Sequence, residues 1–217
     1  MIDLSQKELA GRLEVSWFRP EATAKEVEQL CTRARERGIY GVCVPGSRVA
    51  LAAALLEDAE VKVTGLVGFP LGTADSDVKR YETEAAIDSG AQEIELAAPV
   101  GRLKEGDRKY VLREFRDVAE AADERPVKII LEPRLLTREE MLVACELALD
   151  SGVQFVCAGG GHFGHATVED IKLLRETVGA KFGVKAAIGG FDAPTVLALI
   201  DAGAARVGIV PDQPGWF

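Results

Sequence analysis

Histidine is almost missing from this 217-residue chain. There are two, His162 and His165, three residues apart. That excludes a histidine-rich metal centre, and their spacing lacks the HExxH pattern of a zinc helix. Cysteine is scarce and scattered: Cys31, Cys43, Cys145 and Cys157 form no CxxC. Neither a zinc knuckle nor a disulfide framework is expected, and the reading is a reducing, cytoplasmic setting. No apolar run approaches the ~18 residues of a spanning helix. The opening MIDLSQKELAGRLE is charged throughout, unlike a signal peptide. Positive charge is in deficit, with 26 Lys and Arg against 35 Asp and Glu, a net charge of −9. Nucleic acid and anionic membrane are therefore not expected partners. Residues 13–20 contain no glycine, so the GxGxxG turn of a dinucleotide-binding open sheet is absent after the first apolar run.

What is present is one alternation, repeated. Short Val- and Ile-rich runs occur at 13–17, 41–44, 61–69, 93–98, 127–131, 155–158, 182–187 and 206–210. Amphipathic stretches lie between them at 23–37, 49–57, 75–89, 107–123, 138–150, 167–178 and 193–202. Such spacing predicts right-handed crossovers and a parallel sheet. Thr23 with Glu26, Thr137 with Glu140 and Ser5 with Glu8 fit the capping box, the last predicting a short extra helix around 5–11. Gly38, Gly90, Gly152 and Gly203 each fall where a helix gives way to a strand. The length suits one domain over 1–217. Eight β/α repeats in this length fit an α/β (β/α)8 TIM barrel better than an open doubly wound sheet. After the eighth run, residues 211–217 are too few and too rich in Pro and Gly for a full eighth helix.

In such a barrel, chemistry sits at the C-terminal ends of the strands. Alternation places Glu93 and Glu95 on one face, and likewise Lys128 and Glu132. Lys185, in Gly183-Val-Lys-Ala-Ala187, falls in a strand closed to water. It reads either as a Schiff-base amine with a depressed pKa or as a structural ion-pair partner. Glu95 reads as a proton shuttle beside it or as its neutralising partner. Lys128 reads as a charge at a strand start, facing solvent or a helix. Glu132, before Pro133, either lines the site or caps a loop. Cys43 and Cys157 occupy strand ends facing the site. Gly159-Gly160-Gly161 and Gly189-Gly190 are candidate anion nests. The histidines read as solvated loop residues rather than metal ligands.

Several motifs in order resemble the deoxyribose-phosphate aldolase family. They are Val42-Cys-Val44, Val67-Gly-Phe-Pro-Leu-Gly72, Glu82-x-x-x-Ala86-Ile87-x-x-Gly90-Ala91-x-Glu93-Ile94, Val127-Lys-Ile-Ile-x-Glu132, Ala166-Thr-Val-Glu-Asp170, Gly183-Val-Lys185 and Ala202-Gly-Ala-x-Arg206. The resemblance spans nearly the whole chain. It implies a (β/α)8 class I aldolase fold without metal or cofactor, a homodimer, and cleavage of 2-deoxyribose 5-phosphate to acetaldehyde and glyceraldehyde 3-phosphate. It also implies a Schiff-base lysine at the end of strand six, and that position is Cys157. Lys185 matches the family's supporting lysine on strand seven. Glu95 and Glu14 match its aspartates, each one methylene longer. The family's Gly-Thr-Ser-Ser phosphate loop after strand eight has become Gly208-Ile-Val-Pro-Asp212.

Three readings follow. One is a diverged aldehyde-lyase acting on an aldehyde or sugar phosphate through Lys185, with Glu95 or Glu14 moving protons. The second is an inactive homologue that keeps the barrel for binding or structure. The third is a thiol enzyme built on Cys157, His162 and Glu132.

Overall fold

The computed structural model describes residues 4–211. Eight parallel strands close into a barrel in chain order: β1 (Leu13–Ser16), β2 (Gly41–Pro45), β3 (Lys62–Val67), β4 (Glu93–Ala97), β5 (Val127–Leu131), β6 (Phe155–Ala158), β7 (Gly183–Ile188) and β8 (Arg206–Ile209). Closure by pairing of β1 with β8 rules out the open doubly wound sheet. Every predicted apolar run became a strand. The longest one, 61–69, is trimmed to β3 because Gly68 turns at φ 62° and donates its N–H to Glu82 at 2.7 Å instead of continuing the ladder.

Among the described residues the helices are α1 (Gln6–Ala10), α2 (Ala24–Arg37), α3 (Gly46–Leu55), α4 (Ser76–Asp88), α5 (Val100–Lys104), α6 (Arg108–Ala121), α7 (Arg138–Leu149), α8 (Val168–Val178) and α9 (Ala193–Asp201). The capping boxes of Ser5, Thr23 and Thr137 are all formed, and Thr167 with Asp170 adds another. Each gives two otherwise orphaned amides an acceptor. Gly38 ends α2 in the left-handed conformation that a side chain resists. Sequence reading missed α5, a single turn after Pro99 too short to show a period. The segment after Pro211, where an eighth helix would begin, lies outside the described residues.

The sheet has two apolar sides of different kinds. Outward residues such as Val15, Val42, Ile94, Ile129, Val156 and Val207 pack with Leu30, Phe115 and Leu174 of the surrounding helices in one continuous core. Each such side chain contributes about 1.5–3 kcal/mol on burial. Inside the barrel is a separate, smaller cluster: Cys43, Leu66, Ile130, Cys157 and Ala187, with Phe18 and Phe69 packed against it. Beside this cluster the barrel centre holds the buried charged side chains Glu14, Glu93, Glu95, Lys128 and Lys185, and this positions the candidate site.

Candidate active site

The inward side chains of β1, β4, β5, β7 and β8 meet within the barrel. Nζ of Lys128 lies 2.8 and 2.7 Å from the two carboxylate oxygens of Glu14, 2.7 Å from Glu93 and 3.3 Å from Glu95. Nζ of Lys185 donates to Glu14 at 2.6 Å and also to Glu95. Gly208 makes room for it, since a Cβ there would come within 2.7 Å of Lys185 Cε. Arg206 reaches Glu14 at 3.3 Å and Glu93 at 3.9 Å, and its guanidinium lies 3.1 Å over the Tyr40 ring. The Tyr40 hydroxyl donates to Glu93. Ion pairs thus join three carboxylates (Glu14, Glu93, Glu95) to three cations (Lys128, Lys185, Arg206) in a formally neutral set.

Lys128 therefore faces the barrel interior, not solvent or a helix, and is fully buried. A charge at a strand start looks the same in sequence whichever way it points. Counting by twos from Glu132 through Ile130 puts Lys128 on the inner face, and this signal was available.

Burial alone would push these groups toward neutrality, but the partners reverse it. Burial raises the Glu14 carboxyl, yet the ammonium groups of Lys128 and Lys185 outweigh it and hold Glu14 below the usual carboxylate range. Burial lowers Lys185, yet Glu14 and Glu95 outweigh it and raise it well above an ordinary lysine. Lys128 is raised in the same way, burial being outweighed first by Glu14. Neither lysine has the depressed pKa of an amine nucleophile.

Cys157 sits on β6 beside Lys185 on β7, a direct register pair. Its Sγ is 3.2 Å from the Gly159 carbonyl oxygen, and burial pushes the thiol up, as it does for Cys43. A raised thiol is the opposite of the low-pKa thiolate that a thiol enzyme requires.

The set is sealed. Lys185 is 1% exposed, and the Cys43, Leu66, Ile130, Cys157 and Ala187 cluster also lies within the barrel. At the C-terminal mouth the β1–α2 loop borders two clefts. One, of about 350 Å3, is lined by Phe18, Leu66, Phe69 and His162. The other, of about 320 Å3, is lined by Trp17, Arg19, His165 and Gly189. Neither is lined by Lys185, Glu95 or Cys157.

The remaining sequence-derived candidates gather at this mouth, apart from the ionic set. Glu132 ends β5, accepts the Gly160 N–H at 2.9 Å and has its second oxygen buried without a partner. Burial pushes it up to about 7 against the opposing pull of that one hydrogen bond. Gly161 packs on Val210. The proposed nest at Gly189-Gly190 is covered on one side: the His165 imidazole packs so closely on Gly189 that a Cβ would meet its Nε2 at 2.4 Å. This glycine serves close approach of a side chain. Both histidines are exposed loop residues, and His162 stacks edge-on with Phe163 and Phe69. Sequence reasoning missed Glu93 as a ligand of Lys128 and missed Arg206 on Tyr40, because the register that joins them is not written in any one segment.

A parallel eight-stranded barrel holding lysines and carboxylates on its inner face defines the class: a (β/α)8 barrel of the aldolase kind. No protein-family model matches the chain. Curated relatives do. Deoxyribose-phosphate aldolase of Alkaliphilus oremlandii is 43% identical over 92% of this chain and 91% of the relative. That of Exiguobacterium sibiricum is 46% identical over 92% and 91%. The solved structure of the aldolase QR15 superposes with a TM-score of 0.89 at 29% identity, covering 93% of this chain and 91% of the other. A tetrameric deoxyribose phosphate aldolase from Aeropyrum pernix shares the fold at 24% identity and a TM-score of 0.87, over 94% of this chain and 87% of that one. The chain belongs to the deoxyribose-phosphate aldolase family.

Proposed function

We propose that this member of the family is silent in retro-aldol cleavage and keeps its barrel as a binding or structural scaffold. The observation that carries this reading is the balance of the sealed core. Class I cleavage needs an uncharged amine to attack the carbonyl and form the iminium that accepts electrons when the carbon–carbon bond breaks. The position that the resemblance assigns to this amine is Cys157. A thiol can add to an aldehyde, but the hemithioacetal has no such electron sink. Lys185 would have to take over, and it is held as an ammonium between Glu14 and Glu95. With three cations against three carboxylates there is no surplus positive charge to drive a proton off any lysine.

The reading is tested by incubating the protein with 2-deoxyribose 5-phosphate, following acetaldehyde release, and reducing with borohydride before peptide mass spectrometry. No cleavage and no adduct on Lys185 are expected. Cleavage lost in Lys185→Ala, together with a reduced adduct on Lys185, would overturn it. The protein would then be a diverged lyase with Glu95 and Glu14 as proton carriers. Cys157→Lys sharpens the test. A fourth cation beside Lys185 leaves the core positively unbalanced, which depresses an amine, so this variant should become trappable at position 157. A folded Cys157→Lys that forms no adduct would show that charge balance is not what silences the site.

A further inference from the structure

The ionic set is closed in different ways at its two ends. Toward the C-terminal mouth lies an apolar layer, Cys43, Leu66, Ile130, Cys157 and Ala187, each at most 4% exposed, with Phe18 and Phe69 packed against it. Water coming from that side has to part a packed cluster, which forfeits burial and dispersion contacts together. At the N-terminal end the cover is a guanidinium between rings. Arg206 opens β8, Phe155 opens β6 and Tyr40 precedes β2. The Arg206 guanidinium lies 3.1 Å over the Tyr40 ring and 5.8 Å from the Phe155 ring. Its side chain is 18% exposed, against 1% or less for Glu14, Lys128 and Lys185. Tyr40 also lines an outer cavity of about 450 Å3, with Gly38, Ile39 and Val61. Its hydroxyl donates to Glu93, Glu93 lies 2.7 Å from Lys128 Nζ, and Glu14 joins Lys128 to Lys185 at 2.7 and 2.6 Å. Polar contacts thus run unbroken from the wall of that cavity to Lys185.

We propose that the Arg206–Tyr40 stack is a gate, and that the ionic set exchanges protons and water with solvent through it at the N-terminal end of the barrel. Among the charged members Arg206 has the least to lose by leaving. Glu93 and Glu95 are 5% and 6% exposed, whereas the guanidinium already stands at the edge, 3.3 Å from Glu14 and 3.9 Å from Glu93. A long side chain on such an edge carries its head into water while its stem stays in place. Lys128 and Lys185 then face three carboxylates, and water entering in place of the guanidinium hydrates the excess negative charge. Burial first, then Glu93, holds the Tyr40 hydroxyl above an ordinary phenol, so it remains a neutral donor. With the gate open, Glu93 takes a proton from Lys128, passes it to water and hands back one from water. Exchange therefore leaves every group as it was.

The gate goes beyond the silent reading and is tested apart from it, since no substrate is added. The protein is labelled with 15N at lysine, and exchange of the protected ammonium protons with water is followed by NMR at pH 7. Lys79, fully buried outside the barrel, is the internal control, and its resonance is the one lost in Lys79→Met. Arg206→Gln should speed exchange at Lys128 and Lys185 by about tenfold or more while Lys79 stays within about twofold, as a local opening requires. Tyr40→Phe keeps the ring and the charge balance but removes the donor to Glu93, and should speed Lys128 by about threefold or more. Phe69→Ala, which thins the cover at the mouth, should leave both barrel lysines within about twofold. If Arg206→Gln does not fold, the comparison of Tyr40→Phe with Phe69→Ala decides. Unchanged exchange in the folded N-terminal variants, equal acceleration at Lys79, or a larger acceleration in Phe69→Ala overturns the gate. Acetaldehyde release in the cleavage assay would overturn the silent reading and leave the exchange rates standing.

Discussion

Two lysine–glutamate contacts in this molecule are equally buried and behave in opposite ways. Inside the barrel, Lys185 touches both Glu14 and Glu95, and its pKa is raised. Outside the barrel, Lys79 of α4 has one carboxylate in ion-pair contact among the described residues, Glu114 of α6 at 2.7 Å, with both side chains fully buried, while Glu82 and Asp75 act on it from farther away. There burial wins over the partner: it lowers Lys79 and pushes Glu114 up to about 7, and one Glu114 oxygen is left without a partner. Each charge taken from water carries a desolvation penalty of several kcal/mol, and one partner does not fully offset it. A second or third does. The number of carboxylates in direct contact, more than burial itself, decides which way a buried lysine's pKa moves.

The most severe way to break this contrast is Glu14→Gln. Glu14 accepts from Lys128 and Lys185 and lies beside Arg206. Removing its charge leaves three cations facing two carboxylates in a closed space. A loss of about 3–5 kcal/mol is expected in urea unfolding, as when one member of a buried ion pair is removed. A loss below about 1 kcal/mol would mean that water already enters the barrel and screens the set.

The pair outside the barrel should break differently. Lys79→Met strands the Glu114 carboxylate and removes donors to the carbonyls of Gly72 and Ala97, at 2.9 and 3.1 Å. A cost of about 3 kcal/mol is expected. Adding Glu114→Leu should recover about 1 kcal/mol or more, because the stranded charge is gone, while the two carbonyls remain unpaired. A double variant no better than the single one would show that the carbonyl bonds, not the ion pair, make up the cost.

How much of this was legible beforehand follows from what a linear pattern holds. The strands stood out because parallel barrel strands are nearly continuous Val and Ile runs, and the helix starts because Thr23 with Glu26 and Thr137 with Glu140 are local pairs. Glu95 and Lys185 could be placed indoors by alternation within one strand. Their meeting with each other and with Glu14 is different. Barrel closure brings Lys185 to Glu14 across 171 residues of sequence and to Glu95 across 90. Lys79 was invisible for a further reason: on α4 it sits among Asp77, Arg80, Glu82 and Glu84, and nothing in that charged run says which residue turns inward.

Glu132 is the limiting case, with no cation among its resolved influences, and so gives the smallest and cleanest effect. Its carboxyl is 4% exposed and held at about 7 by burial, eased by the Gly160 hydrogen bond. Its folded pKa is above that of a free glutamate, so between about pH 4.5 and 7 the folded state binds more protons than the unfolded state. Stability from this group is therefore full at low pH, falls as pH rises through that window, and is level above it. The Gln side chain keeps an acceptor for Gly160 and cannot ionise. Glu132→Gln should match the parent near pH 4.5 and exceed it by about 1–3 kcal/mol at pH 8, discounting a shift of about 2.5 units at about 1.4 kcal/mol each for local hydration. Glu114 titrates over the same range in both proteins and cancels in the difference. Parallel stability–pH curves for parent and variant would mean that Glu132 finds a partner for its second oxygen at the mouth. The rule drawn from Lys185 and Lys79 would then have to be applied to a carboxylate with one neighbour more than the structure shows.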